Sequence, residues 1–420
     1  MAGWYSDSTP TQKRTFWACF GGWAVDALNV QVFSLAIPAL IVAWGINKTD
    51  AGVLTGVGLV TGALGGWLGG ALSDRLGRVR ALQITVLWFG VTALVSAFCD
   101  GFGQFLALRA IQGFGFGAEW AAGAVLVAET IRPEHRGRAM GVVQSGWAVG
   151  WGGAVLLYAA AYSYLSPDLA WRVTFGVGFL PALLVVWSTI NLPDPVKARG
   201  EQAQTSFLSA LFGVLRPDML RVTLLGGVLG FGAHGGFYGL FSWLPTYLKT
   251  ERGLSVMGTG AYLGVIIVAF GLGCVAAGYL LDRLGRRNTV LLFAIGCTAI
   301  TVAYLLLPIG GQAMLLLGFP LGFCAAGIPA SMGALFSELY PAGMRGSGVG
   351  FCYNFGRILS AMLPPLIGYM SSSMSLGAAI GIDAGVAYGL VAVAVLLLPE
   401  TRGKALDGAL VNANLSTKGA

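Results

Sequence analysis

Charge is scarce in this sequence. Only 10% of its 420 residues are Asp, Glu, Lys or Arg, 56% are hydrophobic, and the mean hydropathy is +0.75. So little charge cannot coat a water-soluble surface, and a bilayer must be the solvent. Histidine is rarer still, with His135 in a loop and His234 in an apolar run the only two. No nucleophile-and-base motif accompanies them, so neither an enzyme nor a resident cofactor is expected. The six cysteines stand singly in or at the ends of apolar segments, without CxxC or histidine pairing, and read as packing residues, not disulfides or metal ligands. No GxxxxGK[ST] loop is present, which disfavours ATP-driven work. The net charge of +7 comes from basic residues in alternate connectors. It therefore reads as membrane topology and not as nucleic-acid binding.

What the chain has is length in its apolar runs. Stretches of roughly 20 apolar residues recur from Phe16 to Leu398, each able to cross about 30 Å of hydrocarbon as a helix. They are continuous and do not alternate at period two, which excludes barrel strands. The runs centre near residues 30, 62, 90, 117, 150, 182, 235, 269, 299, 327, 358 and 388, called spans 1 to 12 in chain order. The first run is too long for a cleaved signal and carries Asp26 in its middle, so it is expected to stay. Most basic residues fall on one side: Lys13 and Arg14, then Arg75, Arg78 and Arg80, Arg132 to Arg138, Lys197 to Arg221, Arg283 to Arg287, Arg345, and Arg402 with Lys404, while the opposite loops keep Lys48, Lys249, Arg252 and Arg172. The positive-inside rule then sets both termini in the cytoplasm of a cell (inner) membrane, with membrane lipid as surroundings.

The sequence also repeats itself. SDRLGRVRAL from Ser73 is echoed by LDRLGRRNTV from Leu281, so that Asp74 and Asp282 lie 208 residues apart. Glu129 and Arg136 recur as Glu338 and Arg345, both shifted by 209, and Phe33-Ser34 before Pro38 matches Phe241-Ser242 before Pro245. Two related six-helix halves follow: residues 1–192, a cytoplasmic linker 193–220, residues 221–398, and a cytoplasmic tail 399–420. GALSDRLGRVRAL and GYLLDRLGRRNTVL resemble the loop signature of the major facilitator superfamily, in an order and spacing that extend over nearly all of the chain. RAIQGFGFGAEW, AETIRPEHRGRAMG, GFCYNFGRILSA and PETRGK further resemble bacterial proton symporters of organic acids, of the sialate, lactate and metabolite type. The resemblance implies an all-α fold of twelve transmembrane helices in two pseudo-symmetric bundles, acting as a monomer on a small organic anion and protons.

The charged residues divide into two sets. In the connectors, Asp74, Arg75, Arg78, Asp282, Arg283 and Arg286 offer a carboxylate with arginines within a turn. Glu129 and Glu338 at the ends of spans 4 and 10 are their natural partners, and Arg136 and Arg345 begin the next spans; together these residues would form a conformational latch, as the resemblance also implies. Asp74→Asn is expected to unbalance it and slow turnover. Within the hydrocarbon stand Asp26, Arg109, Glu119, His234 and Arg357, each expensive to bury unpaired and so a functional candidate. The resemblance implies a proton-coupling pair of Asp26 with Arg109, although Arg109 counts roughly 10 Å further along its span; Glu119 is the second candidate carboxylate, and His234 is either a relay or a packing residue.

Arg357 presents a fork suited to a substrate carboxylate, with Asn354 and Tyr353 beside it. Gln144, Trp147, Tyr238, Phe241 and Trp243 would complete a pocket for an apolar or aromatic body. Where several acid symporter branches carry two Asp in span 1, this chain has Asp26 and Asn29. Proton-coupled uptake of a small organic carboxylate is the leading expectation. A facilitator or exporter of neutral or cationic solutes, such as sugars or drugs, and a receptor-like member are the alternatives.

Overall fold

The computed structural model describes residues 3–46, 48–194, 207–253 and 256–403. Residues 195–206 of the expected linker and 404–420 of the expected tail, among them Lys197, Arg199 and Lys404, lie outside the described residues. Span 1 is the helix Pro10–Trp44, opened by a capping box in which Thr9 and Gln12 exchange hydrogen bonds and closed by Gly45 at φ 62°. Spans 2 to 5 are Lys48–Leu76, Arg78–Ser96, Phe102–Thr130 and Arg136–Tyr164. Span 6 runs as two segments, Pro167–Val177 and Leu180–Thr189.

The second half repeats the plan. Spans 7 to 10 are Pro217–Thr250, Val256–Leu284, Arg286–Leu306 and Gly311–Leu339, and span 12 is Leu376–Leu397. Eleven helices among the described residues are long and apolar enough to cross a membrane. Span 11 falls short of that length because it breaks, into Arg345–Ser360 and Leu363–Met370. Pro364 and Pro365 open the second segment, where rings that cannot donate a backbone hydrogen bond interrupt the ladder.

Each half is closed by a carboxylate just beyond its last span. Asp194 accepts from the backbone N–H of Val79 at 3.0 Å, and Glu400 accepts from those of Arg286 and Arg287, both at 3.0 Å. The two helix starts they cap, spans 3 and 9, follow Gly77 and Gly285, at φ 97° and 92°, a backbone state that disfavours any residue with a Cβ. Burial raises the Glu400 carboxyl, but four backbone N–H donors, from Arg286, Arg287, Arg402 and Thr401, outweigh it and hold it below the ordinary range.

The halves meet through glycine. Gly66 and Gly70 of span 2 lie against Gly350 and Gly346 of span 11, while Gly137 and Gly141 of span 5 lie against Gly278 of span 8. A Cβ at Gly66 would strike the Asn354 side chain and one at any of the others would strike facing main chain, so the small residues allow the two halves to approach closely here.

Candidate functional site

At the connector end of the bundle, Asp74 receives Arg78 Nη1 at 2.5 Å and the backbone N–H groups of Gly346 and Ser347 at 2.9 and 3.0 Å. A carboxylate of one half thus caps the helix that begins span 11 of the other. The mirror contact is present: Asp282 accepts from Gly137 and Arg138 at 2.8 and 3.0 Å, capping span 5. Glu338 bridges Arg286 of its own half at 2.7 Å and Arg136 of the opposite half at 2.8 Å. Glu129 does the same with Arg78 and Arg345. All of these side chains are buried except Arg138, which is partly exposed. Arg75 and Arg283 correct the sequence expectation, for both stand exposed outside this network. They lie one residue after the aspartates on the same helix and so point away from them, whereas Arg78 and Arg286 open the next helices, beyond the turns at Gly77 and Gly285 that bring them back to the aspartates.

Away from this end, spans 1, 2, 4, 5, 7 and 11 enclose a cavity of about 610 Å³, within the range of small-molecule sites. Phe33, Phe116, Trp147, Phe237, Tyr238 and Phe241 wall it, with Gln31, Ser34, Arg109 and Gln112 as polar points. Trp147, Phe237 and Tyr238 also border a recess of about 40 Å³ that is lined by Gln144, His234, Tyr353 and Arg357. The recess is roughly the share of liquid volume of one water.

Arg357 is 2% exposed, and its Nε and Nη1 have no hydrogen-bond partner among the described residues. Its guanidinium lies over the rings of Phe116, 4.7 Å from the centroid, and of Tyr353, at 5.0 Å. The Oε1 of Gln144 is likewise unpartnered. His234 Nδ1 meets the Gly230 carbonyl at 2.8 Å, which commits that nitrogen to donating and, in the neutral ring, leaves Nε2 as an acceptor. Its ring stacks on Tyr238 and meets Tyr353 edge-on.

Asp26 is wholly buried, with neither oxygen bonded to a protein donor. Glu119 is its neighbouring carboxylate, and Arg357 is the cation that acts on it. The expected pairing of Asp26 with Arg109 is therefore corrected. Arg109 donates to Gln112 at 2.6 Å and lies over Phe33 at 3.9 Å, in the outer cavity, because the offset along the helices is not closed by tilt. Two expected substrate contacts are also corrected. Asn354 Nδ2 bonds back to the Gly350 carbonyl at 3.1 Å and faces Gly66, where spans 2 and 11 touch. Trp243 Nε1 donates to the Pro364 carbonyl at 2.8 Å and braces the break in span 11.

Sequence reasoning missed Gln31, Gln112 and Phe33 as lining residues, and it passed over Asp383. That carboxylate, buried in span 12, had a plain signal: an acid within an apolar run of membrane length.

A family model described as Major Facilitator Superfamily matches residues 19–319. The chain is 40% identical over 412 residues to a probable 4-methylmuconolactone transporter of Cupriavidus pinatubonensis, covering 97% of this chain and 95% of that one. It is 32% identical to a cis,cis-muconate transport protein of Acinetobacter baylyi, covering 87% and 89%. Its fold is similar to that of a proton:xylose symporter crystallised with 6-bromo-6-deoxy-D-glucose, with a TM-score of 0.76 at 20% identity over 95% of this chain and 98% of that one.

Proposed function

Because the chain belongs to the Major Facilitator Superfamily and is a transporter, not an enzyme, we propose that it imports a small, flat organic carboxylate together with protons. In this reading it works as a monomer in the cell (inner) membrane, with the connector network facing the cytoplasm, as its arginines favour. The observation that carries the reading is Arg357, a buried guanidinium with two idle donors at a small recess that adjoins the aromatic cavity. A planar carboxylate would meet that fork bidentately while its body lies in the aromatic cavity above. Relatives named for muconate and a muconolactone support an acid of this kind.

Coupling follows from adjacency. Asp26 and Glu119 repel each other as anions when both are ionised, and Arg357 is the cation that acts on Asp26. A substrate carboxylate on Arg357 neutralises that charge, and the pair takes up a proton. The loaded centre is then less polar, and the halves can exchange one set of closing contacts for another. The paired connector charges serve as the cytoplasmic latch that breaks in that exchange.

The test is uptake by proteoliposomes of a labelled acid panel that includes cis,cis-muconate, with and without an inward proton gradient. Gradient-dependent accumulation of an acid is the expected result. No acid uptake under either condition, or export of a cationic drug instead, would overturn the reading.

A further inference from the structure

The transport reading leaves one buried carboxylate unused. Asp383 is 9% exposed in span 12, seven residues after Leu376, and its Oδ2 has no hydrogen-bond partner. It rests against the backbone of Gly239 in span 7, beside Ile367 of the second segment of span 11. Among the described residues no Lys, Arg or His side chain acts on it. Its titratable neighbours among the described residues are Tyr388 on its own helix and, beyond that ring, Cys297 of span 9 and Cys324 of span 10; Gly239 of span 7 and Ile367 of span 11 meet beside it.

The polar atoms nearby form a buried group. The hydroxyls of Tyr388 and Thr301 lie at the Cys297 thiol, and that of Tyr304 is buried without a hydrogen-bond partner among the described residues, so these oxygens share the wall between spans 9 and 12 with the Asp383 carboxylate. A carboxylate cannot stay ionised there without a cation or donors. The wall also leads outward. Tyr304 neighbours Tyr247, whose hydroxyl accepts from Arg252 Nε at 2.7 Å, and Arg252 reaches the exposed carbonyl of Leu307 at 2.8 Å, at the end away from the connector network. The same wall carries span 7. Gly236 lies on the ring of Tyr388 and Gly239 on Asp383, while Phe237, Tyr238 and Phe241 from these turns line the cavity.

We propose that Asp383 is a second proton-binding site, loaded from the cavity side along Tyr247, Tyr304 and Thr301, and sensed by the substrate cavity through span 7. This rests on the proton-coupled reading and adds a carboxylate within one half to the pair at the junction of the two.

Infrared difference spectra of the purified full-length protein between acid and alkaline pH record the C=O stretch of each protonated carboxyl, whether or not transport occurs. Asp383→Asn is expected to delete one band, Asp26→Asn a different one, and Tyr388→Phe to shift the Asp383 band without deleting it. In proteoliposomes with an inward gradient of one pH unit, each co-transported proton raises the accumulation limit about tenfold, so Asp383→Asn should lower it by about that factor. Bands unchanged in both Asp383→Asn and Tyr388→Phe, or an unaltered accumulation limit, overturn the proposal, as does uptake driven by sodium in place of protons. If Asp383→Asn does not fold, the shift in Tyr388→Phe decides alone. A wild-type protein that shows the Asp383 band but accumulates no acid refutes the transport reading and leaves the proton site standing.

Discussion

At the connector end of the bundle, Glu129 and Glu338 each hold two arginines, one from either half, and both oxygens of Asp74 are bonded. At the centre, neither oxygen of Asp26 is bonded to a protein donor, and Arg357 keeps two donors idle. Both sets are buried, so desolvation alone does not separate them. The difference lies in what completes each set. The connector charges complete one another in this conformation, which suits a contact that is made and broken, while the central charges await a ligand and a proton.

Glu129→Gln should break this contrast most severely. It leaves Arg78 and Arg345 buried beside a neutral side chain, a loss of about 3 to 5 kcal/mol for a broken buried pair. Faster labelling of a cysteine placed at the connector end, with a lower unfolding temperature, is the expected readout; unchanged labelling would remove the latch role. Next comes Arg357→Lys, which keeps the charge and loses the fork. The apparent KM for the acid should rise about tenfold or more, consistent with about 1.5 to 3 kcal/mol for a charged hydrogen bond, while the unfolding temperature stays put. An unaltered KM would show that substrate does not use this side chain.

Smaller effects sharpen the same comparison. Glu400 has its carboxyl held below the ordinary range, so its stabilising contribution is full above the unfolded value, near pH 4.3, and is lost as pH falls through the folded one. Glu400→Gln should therefore flatten the acid limb of unfolding temperature against pH, and a limb of unchanged slope would contradict the cap. Smallest of all, Arg75→Gln and Arg283→Gln should change stability by no more than about 0.5 kcal/mol, since both side chains are exposed outside the network. A large effect on connector-end labelling would return them to it.

Much of the connector network was legible in advance because it is repeated. The 208- and 209-residue offsets tie Asp74 to Asp282 and Glu129 with Arg136 to Glu338 with Arg345, and a contact that one copy makes is mirrored by the other, as Asp74 caps span 11 and Asp282 caps span 5. The central site has no such copy. Asp26, Arg109, Glu119 and Arg357 were singled out by the expense of burying charge in hydrocarbon, a rule that names residues without naming partners. It therefore left Arg109 free to be matched with Asp26, and Asn354 and Trp243 free to be placed in the pocket.

By itself the sequence determined the solvent, the helical spans and the doubling of the chain, since hydropathy and internal repetition are read along one dimension. Only the tertiary structure decided that Arg78, not Arg75, turns into the network, that Asp26 meets Glu119, that span 11 breaks, and that Asp383 sits under span 7. Each of those depends on how a helix is rotated and tilted against its neighbours. Glycine-to-glycine contacts such as Gly70 with Gly346 set that rotation and tilt, through distances between residues far apart in the chain.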